Sequence, residues 1–155
     1  MYPQSHFLFA LFVSMIFVKF GVFDYKIALL IAVIAVFIDI DHLINFIIKK
    51  GDYSMRDAWN AGILKHMKER TFIHHYLGFT LITEIVILLF FINRTWFWII
   101  SIAYYTHMFL DYAKLNVLKI RTKITIKEAG FVERINKFEL LFDMFLVAGI
   151  ILLII

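Results

Sequence analysis

The sequence predicts an all-α protein, a polytopic membrane bundle of about five transmembrane helices plus one amphipathic helix in the interface. Three observations predict it. Of the 155 residues, 63% are hydrophobic, with 18 Phe and one Pro, and the mean hydropathy is +0.85; a soluble domain of this length is nearer half apolar. The apolar residues gather into five long runs separated by short or strongly basic segments. Five such runs in one small chain leave too little polar surface to cover a water-soluble globule.

The first apolar run is Ser5 to Phe20, and Gly21 to Tyr25 makes a short turn. The second spans Lys26 to Ile48, the third Thr71 to Ile92, and Asn93-Arg94 connects tightly to the fourth, Thr95 to about Leu118. The fifth is Phe138 to Ile155. Between the second and third, Met55, Trp59, Ile63 and Met67 recur every four residues, an apolar stripe along one helix face, with Arg56, Lys65 and Lys68 off the stripe. That pattern fits a helix lying in the headgroup region or packed on the bundle. Lys119 to Lys137 alternates Ile with Lys, Arg and Thr, which fits a short strand pair or an irregular loop. The length suits a single unit over residues 1–155. The first 20 residues lack a basic leading region and a small-residue cleavage site, so no cleavable signal is expected.

The basic residues orient the chain. With five spans, the N-terminus and the 49–70 and 119–137 segments share one side, which carries 13 Lys and Arg against 3 on the other. The positive-inside rule makes that side cytoplasmic and puts the C-terminus outside. Basic patches on a membrane protein match anionic lipid headgroups; nucleic acid is not an expected partner.

Against this background the ionisable residues inside the spans stand out, because a charge in hydrocarbon persists mainly where it has a partner or lines a cavity. Asp39-Ile40-Asp41-His42 lies within one apolar run and His107-Met108-Phe109-Leu110-Asp111 within another. His107 and Asp111, four apart, share a helix face. Asp39 and His42 also share a face, whereas Asp41 points elsewhere on a regular helix. For all three to meet, the helix must unwind or end near Ile38; alternatively the two acids serve two metals. His6, His74 and His75 fall in the same half of the membrane as these clusters, and Asp39 to His42 lie ~10–15 Å below the basic side at the helical rise. Packing between helices would account for an isolated His/Asp pair, but not for so many such residues at one depth. Cysteine is absent, so any metal must be held by His, Asp or Glu, which favours zinc, with manganese or iron as alternatives. Glu139 and Asp143 form an acidic i, i+4 pair at the start of the fifth run, where a helix N-terminus accommodates acids. Glu84 sits mid-span with no partner evident from spacing.

His6 near the start, Asp39-Ile40-Asp41-His42, Arg70 with His74, and Tyr105-Thr106-His107-Met108-Phe109-Leu110-Asp111 occur in an order that resembles the YdjM-like family of membrane-bound metal-dependent hydrolases. The family's usual run reads PDIDH, HRxxTHS and SHxxLD. This chain departs from it at Ile38 in place of the proline, Glu69 in place of a histidine and His75 in place of a serine, which leaves Glu69 and His75 as candidate substitutes. More distantly the pattern is similar to the zinc phospholipase C and P1-type nuclease group. The resemblance implies a hydrolase with one or two divalent ions held by Asp39, Asp41, His42, His74, His107 and Asp111, with His6 added. It implies Asp41 as base or bridging acid, and Arg70, with its planar fork, as the grip on a phosphate. The expected substrate is a phosphoester of a lipid or lipid headgroup at the cytoplasmic leaflet. A non-catalytic carrier or sensor of metal ions or protons, using the same cavity, is the alternative; a scaffold with polar helix contacts would bind no metal.

Overall fold

The structure, a computed structural model, describes residues 3–50, 56–57, 72–112, 123–128 and 131–155. The helices in it are α1 (Pro3–Lys19), α2 (Tyr25–Phe37), α3 (Ile40–Lys50), α4 (Tyr76–Ile92), α5 (Arg94–Tyr112) and α6 (Lys137–Ile154). The amphipathic segment over 49–70, with Glu69 and Arg70, lies outside the described residues apart from 49–50 and 56–57.

Local chemistry sets the helix ends. Gly21, at φ 71°, closes α1: its N–H bonds to the Val18 carbonyl at 2.9 Å and that of Val22 to the Phe17 carbonyl at 3.0 Å, the paired bonds of a Schellman cap. Asp24 caps α2 by accepting the Ile27 N–H at 3.0 Å. Asn93 separates α4 from α5, and its Oδ1 accepts the N–H groups of Thr95 (3.1 Å) and Trp96 (3.2 Å). The expected second span is broken at residues 38–39, where Asp39 N–H bonds to Val36 and His42 N–H to Asp39, both three residues back. Three-residue bonds tighten the turn and so rotate α3 relative to α2. The helix expected as a third span begins later than its apolar run. Residues 72–75 form a turn and α4 starts at Tyr76.

α1 is the centre of the bundle. It packs on α2, α5 and α6, while α2 also packs on α5, and α4 on α5. Where α1, α2 and α5 meet, Ala10, Ala32, Ala35 and Ala103 are fully buried around Ile31, Ile99 and Ile102. Small side chains let helices approach closely, which is how helices associate where lipid is as apolar as the side chains. Among the described residues the exterior is apolar as well as the core, and some polar groups lie inside. Ser5, His6, Ser14 and His107 are buried, whereas Leu29, Ile87, Leu88, Phe145 and Leu152 are exposed. Such an apolar exterior is stable facing hydrocarbon and unfavourable facing water.

Tyr25–Ile48, taken across its break, is long and apolar enough to cross a membrane; Pro3–Lys19 and Tyr76–Ile92 are apolar but shorter. Among the described residues, one strand pair departs from all-α. β1 (Lys123–Glu128) and β2 (Phe131–Asn136) pair antiparallel, from Lys123 opposite Asn136 to Glu128 opposite Phe131, and β2 leads straight into α6. The alternation of Ile with polar residues is the local cause.

Candidate metal centre

Three elements converge on one point: the break between α2 and α3, the turn before α4, and the last turns of α5. Asp39, His74, His107 and Asp111 each place one donor atom so that all four lie within 4.8 Å of one another. His74 Nε2 is 3.0 Å from His107 Nε2, 3.2 Å from Asp111 Oδ2 and 3.8 Å from Asp39 Oδ1. His107 Nε2 is 3.3 Å from Asp111 Oδ2 and 3.4 Å from Asp39 Oδ1. Four ligands about 2.0–2.1 Å from a tetrahedral zinc ion stand about 3.3–3.4 Å apart. The observed spacings straddle that length.

Both rings are oriented from behind. His107 Nδ1 lies 2.8 Å from the Ala35 carbonyl, which can only accept, so Nδ1 carries the proton and Nε2 of the neutral ring is a lone pair. His74 Nδ1 lies 3.3 Å from Asp41 Oδ2, which gives its Nε2 the same character. A histidine donating its far nitrogen to a carbonyl or carboxylate is the usual support of a metal ligand. Two ring nitrogens and two carboxylate oxygens thus face one point. A divalent cation would satisfy all four at once; without one, a protonated ring can pair with the carboxylates.

The family model described as YdjM inner membrane protein matches residues 1–117. The chain belongs to the YdjM family. No curated protein and no solved structure matches it, and nothing in these comparisons supports the more distant likeness to zinc phospholipase C and P1-type nucleases. YdjM is a family of inner membrane proteins, in keeping with the apolar exterior and the Tyr25–Ile48 stretch.

The remaining residues singled out in this YdjM chain take different places. His42 and Asp41 form an adjoining group with His74, again within 4.8 Å, and His42 Nε2 is 3.8 Å from Asp39 Oδ1. His74 takes part in both groups through different nitrogens. His6 is fully buried, stacks on His107 at 4.1 Å, and brings Nε2 to 3.4 Å from Asp111 Oδ1, the oxygen not turned to the four-atom cluster. It therefore stands beside the cluster. His75 occupies the N-cap of α4 against Tyr76, in neither group. Glu84 is exposed on α4. Glu69 and Arg70 lie outside the described residues.

Several supports were not legible in the sequence. The Ala35 carbonyl is a backbone group, and no pattern marks it. Ser5 Oγ lies 2.9 Å from Glu139 Oε1 and 3.1 Å from Asp143 Oδ2, joining α1 to α6 one residue from His6. Tyr104 and Tyr112 reach the His74 turn through their hydroxyls. The spacing of Tyr104, His107 and Asp111, at i, i+3 and i+7 on one helix face, was the available signal for the first of them.

Proposed function

We propose that this chain is a membrane-bound metal-dependent hydrolase that cleaves a phosphoester of a lipid or lipid headgroup, with zinc its favoured metal. The observation that carries the reading is the convergence of His74 Nε2, His107 Nε2, Asp39 and Asp111 on one point, with both far ring nitrogens engaged. In the same proposal the chain crosses the membrane five times, with its N-terminus and basic segments cytoplasmic and its C-terminus outside. The 13 to 3 distribution of Lys and Arg supports that orientation.

A divalent ion in such a site supplies Lewis acidity toward a phosphoryl oxygen and makes water a usable nucleophile near neutral pH. The residues supply the rest. Asp39, His74, His107 and Asp111 hold the ion, and the Ala35 carbonyl and Asp41 keep the two rings aimed. The Asp39 and Asp111 side chains retain 28% and 24% exposure, so the carboxylate side is the one a substrate reaches. Asp41 is proposed as the acid that takes a proton from water, through the oxygen it does not turn to His74. Arg70, four residues before His74 in the chain, has the chemistry to grip a phosphate through two hydrogen bonds. Anionic lipids at the basic face would concentrate the substrate there.

One observation favours a second reading, a carrier or sensor of metal ions. Four protein donors already complete a tetrahedral shell, whereas catalytic zinc sites usually keep a position open. Metal content of protein purified in detergent, followed by turnover of phosphoesters and phospholipids in mixed micelles, separates these. Bound metal with metal-dependent cleavage supports the hydrolase. Bound metal without cleavage of either class supports the carrier, and protein that takes up no divalent metal rules out both.

A further inference from the structure

His74 differs from the other three members of the cluster in how it is held. His107 and Asp111 ride on α5, and Asp39 sits at a helix junction, but His74 belongs to the turn 72–75. Helix geometry does not fix a turn; something outside it must. Two successive carbonyls of this turn are taken by phenolic hydroxyls from one helix: Tyr104 donates to Ile73 O at 3.0 Å and Tyr112 donates to His74 O at 2.8 Å. Both tyrosines are on α5, which also carries His107 and Asp111. Eight residues separate them, about 12 Å along the axis, and the two metal-facing residues of α5 fall between.

Burial does not explain both bonds. Tyr104 is 2% exposed, and a buried phenol needs a partner wherever it lies. Tyr112 is 46% exposed and has water or headgroups within reach, yet its hydroxyl bonds to the backbone of the ligand residue itself. From the other side, α4 leaves room for the turn only because residue 78 is glycine. A Cβ there would run into the Phe72 carbonyl and approach Ile73 Cα at 3.0 Å.

We propose that Tyr104 and Tyr112 are positioning residues that fix the His74 turn to α5, setting the distance from His74 Nε2 to His107 and Asp111 and so the affinity and geometry of the metal site. This rests on the metal reading above. The four donors come from three separate elements, and the tyrosines make two of those elements one rigid unit. A site whose ligands are held in place beforehand binds more tightly than one that must assemble around the ion.

The test is a cobalt(II) titration of the purified full chain in detergent, read by the visible absorption of the bound ion. Tyr104→Phe and Tyr112→Phe each remove one hydroxyl and keep the ring. Each is expected to weaken cobalt binding about tenfold or more, as loss of an outer partner does, and to alter the visible band because the donor geometry loosens. Gly149→Ala, which sets a Cβ 2.6 Å from Phe12 Cε2 on α1, is the control. It should lower thermal stability while leaving affinity and band unchanged, so general loosening is told apart from loss of the clamp. Unchanged affinity and band in both tyrosine variants would overturn the clamp while leaving the metal site standing. No cobalt uptake by the unaltered chain would overturn the metal site, and the clamp with it.

Discussion

His107 bonds through Nδ1 to the carbonyl of Ala35, 72 residues earlier in the chain, at 2.8 Å. That single contact decides which face of the imidazole is available. With Nδ1 committed as donor, Nε2 turns to His74, Asp39 and Asp111, and the ring has no rotation left to spend elsewhere. Ala35 matters here for its backbone and for its size, since its methyl is fully buried where α1, α2 and α5 meet.

Removing His107 therefore takes away one of the four donors of the cluster. His107→Ala is expected to lower metal affinity by more than the roughly 10–100-fold that loss of an outer partner costs, in protein that still purifies as a folded species in detergent. Elemental analysis of the purified variant checks it; wild-type stoichiometry would remove His107 from the ligand set.

Asp41→Asn tests the carboxylate behind His74. Asparagine keeps the volume and one acceptor oxygen but carries no charge and takes up no proton. Metal affinity should fall about 10–100-fold, less than for His107→Ala, while any phosphoester hydrolysis should fall to background even with metal in excess. Near-normal turnover in metal-saturated Asp41→Asn would exclude Asp41 as the base. Complete loss of metal would instead make it a ligand.

Chelation should destabilise the protein. An ion bound by the folded chain and not by the unfolded one adds RT ln(1 + [L]/Kd), about 2.7 kcal/mol at a hundredfold excess over Kd. Thermal unfolding in detergent, with and without a chelator, reads this directly. His107→Ala should unfold at the same temperature in both conditions, so a chelator effect that persists in that variant would point to an ion bound elsewhere.

Gly78→Ala places a methyl group inside the contact between α4 and the Phe72 carbonyl. Backbone cannot swing aside as a side chain does, so the turn must move, at a cost of about 1–3 kcal/mol as overpacking usually exacts. Both the thermal midpoint and the metal affinity should drop. A stable variant with unchanged affinity would show that the turn has more room than the contact implies.

Orientation is checked by thiol labelling in this cysteine-free chain. A cysteine replacing Ser54 should resist an impermeant reagent added to intact cells, and one replacing Asn93 should react. The opposite pattern would invert the topology drawn from the 13 to 3 basic split.

Much of this molecule was legible before any coordinates. Apolar runs located α1, α2, α4, α5 and α6, because runs of that length have few uses besides helices buried in protein or lipid. The i, i+4 spacing paired His107 with Asp111, since helix geometry is local. The conflict between Asp39, Asp41 and His42 left two alternatives, a break near Ile38 or two separate sites; the chain does turn there through three-residue hydrogen bonds, and Asp39 and Asp41 fall in different groups. The late start of α4 was not legible: the apolar run continues through Phe72 and Ile73, so hydropathy gave no boundary, and carbonyl bonds from a helix distant in sequence hold the turn open.

The sequence by itself determined the apolar class, the helical segments and the supply of His and Asp donors, because these depend on composition and on repeats of a few residues. Only the tertiary structure decided how the donors divide. Asp39 joined His74, His107 and Asp111; Asp41 moved behind His74; and His6 was set beside the cluster, stacked on His107. The physical reason is distance along the chain. His74 and His107 meet across 33 residues and His107 and Ala35 across 72, and contacts of that kind are fixed by how helices pack, which no local pattern encodes.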